Sequence, residues 1–156
     1  MTLALPPDVF QVSYEPSDDI LAADWPRPLP MELLPACYEK MLAAAQAQHN
    51  CRFWLLDIRQ RNWHSAEFGY WFLAEFVQRA VAALGQPLFM AYLVADEQQQ
   101  FIESGPTDTM LRQAARLNCF PFYFSYEEAA LAWLRDQRAA EQASLPGQPR
   151  AAVAAQ

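Results

Sequence analysis

The 156 residues predict an α/β domain on a mixed, mostly parallel five-stranded sheet, with elements in the order β-β-α-β-α-β-α-β-α. Three observations carry this. An N-terminal segment alternates polar and apolar residues with a period of two. Later segments are short apolar blocks of the kind shown by a strand buried on both faces. Between them lie stretches with apolar residues at helical spacing. Strands that alternate with helices imply parallel crossovers, whereas two strands joined by a tight turn must run antiparallel.

Taken in order, residues 9–15 place Phe10, Val12 and Tyr14 on one side and Gln11, Ser13 and Glu15 on the other, which is a half-buried strand. Pro16-Ser17-Asp18-Asp19 is turn chemistry, because Pro presets φ and Ser and Asp close local hydrogen bonds. A second strand over 20–25 completes a hairpin, and Pro26, Pro28 and Pro30 end it. A helix over 31–48 follows, with Leu34, Cys37, Tyr38, Met41, Leu42 and Ala45 on one face and Pro35 in the first turn. The block 53–58 is a buried strand. A helix over 65–84 comes next, closed by Gly85 and Pro87. Residues 88–95 form another buried strand and 96–106 a polar loop. A short helix over 107–117 turns Met110, Leu111, Ala114 and Ala115 inward. The last strand is 119–125. Ser125-Tyr126-Glu127-Glu128 reads as a capping box opening a final helix. From Ala139 the periodicity fades into an Ala/Gln/Pro-rich stretch, so the expected domain is 1–138 and the expected disordered tail 139–156.

Composition bounds the function. With 53% hydrophobic residues and 13% aromatics the chain fills a core without disulfides or metal. Eighteen acidic against eleven basic residues give a net charge of -7, which argues against nucleic acid and anionic membranes as partners. Every charge before Arg27 is acidic. Three cysteines, an odd number without framework spacing, point to reduced thiols and a cytoplasmic location. Residues 1–10 lack a basic n-region, so no signal peptide is expected, and no apolar run approaches the ~20 residues of a membrane span.

The element order, the strand ending Leu55-Leu56-Asp57-Ile58 and the helix opening near Ser65 together resemble a STAS domain. The closer likeness is to the divergent SpoIIAA-like, Sec14-like bacterial members of that superfamily, over about residues 9–137. The resemblance implies a functional loop between the third strand and the second helix. In signalling members that loop carries Asp-Ser-Ser-Gly, whose first Ser is phosphorylated; the matching positions here are His64-Ser65-Ala66-Glu67, where only Ser65 is kept. Ser65 is therefore either a phospho-acceptor at a helix N-terminus or a plain N-cap, and the missing flanking motif favours the cap.

Arg59, Arg61 and His64 form the one locally basic stretch of an acidic chain, at the carboxyl end of a strand, where α/β sheets usually bind ligands. Two guanidiniums there could take an anion, with Trp63 stacking on a flat group; the alternative is a solvated loop whose arginines pair with Asp57 and Glu67. Trp54, Leu56 and Ile58 share one strand face, as do Met90, Tyr92 and Val94. This Trp- and Tyr-rich side is either a binding surface or ordinary core under helices. His49, Cys51, Cys37, His64 and Cys119 lack zinc-ligand spacing, and the glycines form no phosphate loop, so no metal and no cofactor are expected. His64 beside Ser65 is the only adjacent base and nucleophile, and sequence neighbours diverge at a helix start. These readings predict a non-enzymatic interaction module that binds a protein partner or a second copy of itself. The alternative is a small-molecule or lipid-binding protein with an apolar cleft for an anionic or lipophilic ligand.

Overall fold

In the computed structural model, residues 5–143 are described; the expected tail beyond 143 lies outside them. The five strands are β1 (Gln11–Glu15), β2 (Ile20–Asp24), β3 (Phe53–Asp57), β4 (Leu88–Leu93) and β5 (Cys119–Phe124), and they lie side by side in chain order. β1 pairs antiparallel with β2, from Gln11 opposite Asp24 to Glu15 opposite Ile20; the other three pairings are parallel. Asp19 closes the hairpin turn at a φ of 55°, and its carboxylate accepts the Tyr14 hydroxyl proton at 2.7 Å.

A sheet whose parallel strands follow one another in order, with crossovers of one hand, places every crossover on the same face. These crossovers are α1 (Leu34–Ala47), a long helix through Ala66–Leu84, and α5 (Gly105–Arg116). α1 turns the apolar stripe foreseen from its spacing toward the sheet, whereas of the four residues expected inward on α5 Ala114 is buried, Met110 packs on the core, and Leu111 and Ala115 stay only partly buried. Leu34, Cys37, Tyr38, Met41, Leu42 and Ala45 of α1 are all buried against Trp54, Leu56, Met90 and Tyr92. The Trp- and Tyr-rich strand face is thus covered by helices. The opposite face, with Phe53, Leu55, Phe89, Ala91 and Leu93, is covered by α6 (Glu127–Ala143) through Ala130 and Leu134.

The long helix consists of α2 (Ala66–Trp71), a π turn (Phe72–Phe76) and α3 (Val77–Leu84), ending on Gly85 at a φ of 79°. The π turn has a packing reason. At 3.6 residues per turn, each four-residue step overshoots a full turn by about a tenth, so Phe68, Phe72 and Phe76 would drift off one stripe. The wider π turn falls short of a full turn over the same step and cancels the drift. All three rings consequently touch Tyr38, at centroid separations of 5.0, 5.8 and 5.5 Å.

Three expectations are corrected. The stretch 96–106 is a 3-10 turn (Asp96–Gln98), α4 (Gln99–Ile102) and the start of α5, because Gln98 buries its amide and Ser104 caps α5 through Thr107 N–H. The helix of the first crossover opens with a 3-10 turn at Met31–Leu33 before α1. The domain does not stop at 138: α6 continues to Ala143, held where Arg52 grips Glu141 with two bonds of 2.7 and 2.5 Å while also donating to Pro87 O. α6 begins at Glu127, one residue later than the capping box places it. Among the described residues, no helix is long and apolar enough to cross a membrane.

Candidate ligand site at the carboxyl ends of the strands

Beyond β3 the chain makes a tight turn over Ile58–Arg61, and this turn separates the two arginines. Arg59 folds back on its own strand end: its Nε and Nη2 donate to the Asp57 carboxylate at 3.0 and 2.7 Å, on the surface. Arg61 goes inward and is only 4% exposed. Its guanidinium carbon lies 4.5 Å from the Trp25 ring centroid, Nε donates to Asn62 O at 3.2 Å, and Nη1 has no partner.

Neighbouring segments fix the turn. Gln98 donates to Ile58 O and Arg61 O at 2.8 and 3.0 Å and accepts from Ala95 N–H at 2.9 Å. Asn62 exchanges two hydrogen bonds of 3.1 Å with the backbone of Leu29. Trp63 stacks on Phe101 at 5.3 Å and on His64 at 5.0 Å. Burial, helped by the Arg61 charge, pushes His64 down to about 4, so the imidazole is neutral at pH 7. Ser65 caps α2, its hydroxyl oxygen accepting from Phe68 N–H at 3.1 Å. Trp63 and His64 therefore border both a small cavity that Arg61 lines and an open groove that Ser65 lines, and Arg59 lines neither.

The rest of the cavity's lining includes Tyr38, Tyr92 and Tyr123, which the sequence does not tie to the basic loop. Tyr38 and Tyr92 share a hydrogen bond of 2.6 Å between their hydroxyls, and Tyr123 packs on Tyr92 with ring centroids 5.4 Å apart. Burial pushes all three phenols upward, so they stay protonated. Tyr92 is on the Trp- and Tyr-rich face that alternation marks, and in the sheet Tyr123 is its direct register partner on the adjacent strand. Tyr38 reaches them from α1, which no spacing rule shows.

These groups enclose a cavity of about 10 Å³ between Arg61, Tyr38, Tyr92 and Tyr123, room for one water-sized atom. Trp63, His64 and Met110 form its rim and also line an open groove of about 710 Å³ between α2 and α5. Along the groove run Gly69, Tyr70 and Leu73 on one side and Thr107, Met110 and Gln113 on the other. Helices α2 and α5 both open on it, with Ser65 and Ser104 at their N-caps.

No hydrogen bond joins His64 to Ser65 among the described residues, and the Ser65 hydroxyl serves the helix. Cys37, Cys51 and Cys119 are buried, and desolvation raises each thiol, Cys51 to about 12, which leaves them unreactive. Among the described residues no group of three or more His, Cys, Asp or Glu is placed to hold a metal. Compared with protein-family models, curated proteins and solved structures, the chain matches none.

Proposed function

We propose that this protein is a non-enzymatic binding module that takes a small, largely apolar ligand in the groove between α2 and α5. The single observation that carries the reading is adjacency. A groove of about 710 Å³, of the size that ligand sites commonly have, shares Trp63, His64 and Met110 with the small cavity that Arg61 lines beneath the strand ends. The groove lies beside the segment 58–65, where the STAS-like resemblance expects function. Neutral His64, protonated tyrosines and a capped Ser65 supply hydrogen bonds and shape but no activated nucleophile.

A second reading, contact with a protein partner, draws on Tyr70, which stands 75% exposed at the groove's edge on α2. Titrating decanol into isotopically labelled protein separates the two. Small-ligand binding predicts amide shifts concentrated at Trp63, Gly69, Thr107, Met110 and Gln113. Shifts gathered instead around Phe122, Tyr126 and Trp133, the apolar patch beside α6, would remove the groove from consideration.

A further inference from the structure

A buried guanidinium that holds no carboxylate among the described residues narrows the ligand class. Arg27, Arg52, Arg59, Arg79, Arg112 and Arg135 each hold a carboxylate within ion-pair distance. Arg61 is buried and has none among the described residues. The groups its charge reaches are Cys37 and Tyr38 on α1, His64 on its own loop, Tyr92 on β4 and Tyr123 on β5, all neutral at pH 7. An arginine cannot escape burial by losing its proton, so an unpaired guanidinium here is a standing cost that an anion would relieve.

On the reading that the groove binds a small ligand, we propose that this ligand is an apolar monocarboxylic acid. Its hydrocarbon part lies along Gly69, Leu73, Met110 and Gln113, and its carboxylate turns in past the edge of the Trp63–His64 stack. One carboxylate oxygen sits in the cavity and accepts from the Arg61 guanidinium. Cavity size favours a compact head group: about 10 Å³ takes one oxygen, and the flat carboxylate crowds the mouth with fewer further atoms than a tetrahedral phosphate or sulfate. The charges agree in sign, since the groove also meets the N-terminal ends of α2 and α5. A tyrosine hydroxyl adds a neutral donor: of the Tyr38–Tyr92 pair, one proton is spent between them and the other is left to turn toward the cavity.

The test compares decanoate, decanol and decyl sulfate by isothermal titration at neutral pH, with wild type and Arg61→Met. The proposal expects decanoate to bind wild type about tenfold or more tightly than decanol. Decyl sulfate should resemble decanol, and the preference for decanoate should vanish in the variant. Equal affinities for decanoate and decanol would overturn the carboxylate while leaving the groove reading intact. Tight binding of decyl sulfate would overturn the head-group class in favour of charge alone. If no probe binds, the groove reading falls and takes this proposal with it. Thermal melting of the ligand-free proteins gives an independent readout. Relief of an unpaired buried charge predicts that Arg61→Met melts no lower than wild type. A marked fall would show that Arg61 is already satisfied internally, and a variant that fails to fold would count the same way.

Discussion

A single residue separates Arg59 from Arg61, yet one lies on the surface against Asp57 and the other is buried over Trp25. Sequence spacing marked both as basic and near a strand end. It could not divide them, because the inward turn depends on Gln98 and Trp25, which are distant in the chain. His64 makes a titration test at this scale. Its value is depressed from 6.5 to about 4, so the fold favours the neutral imidazole. The unfolded chain binds the proton first as pH falls, so His64's contribution is complete above about pH 6.5 and is lost progressively toward pH 4. Urea unfolding of wild type and His64→Gln at pH 4.5 and 7.5 should show a gap that widens at neutral pH, by up to about 3 kcal/mol. Ser65 gives a simpler expectation. Ser65→Ala removes the cap on Phe68 N–H and should cost about 1 kcal/mol in the same assay, whereas Ser65→Asp should retain most of the stability.

Elements were more legible than sites, for a physical reason. A helix stripe or a period-two strand repeats its signal along the segment, and so α1 shows every inward residue that its spacing marked. Misreadings fell where tertiary contacts overrode local pattern. The polar run 96–106 holds helical turns because Gln98 is satisfied by three backbone groups, and the π turn exists because three phenylalanines must meet Tyr38. The fading periodicity after Ala139 concealed that Glu141 is tied to Arg52. If α6 is held there, Glu141→Ala should lower unfolding stability by about 1–2 kcal/mol, with the urea slope unchanged. A tail beginning at 139 would give no effect. Leu134→Ala, in the cluster through which α6 covers the second sheet face, should cost more, about 2–5 kcal/mol.

For the whole molecule, the five strands and the sense of the hairpin and the parallel crossovers follow from alternation, apolar blocks and the intervening helices, whereas the side-by-side order of the strands appears only in the fold. The candidate site was half visible. The basic loop could be found, but its tyrosine wall and its groove exist only once α1, β4, β5 and α5 converge. Net charge bears on binding as well. An acidic protein carrying -7 repels a free carboxylate at long range, while the contact at Arg61 is buried and poorly screened. Decanoate affinity should therefore hold or improve as ionic strength rises, and a steep loss with salt would place the anion on the surface instead. The most direct measurement is a crystal structure of the protein with decanoate. The account predicts density along the groove from Leu73 to Trp63, with a carboxylate oxygen at hydrogen-bond distance from Arg61 Nη1. A lone water beside Arg61, with the acid bound elsewhere or absent from the groove, would contradict it.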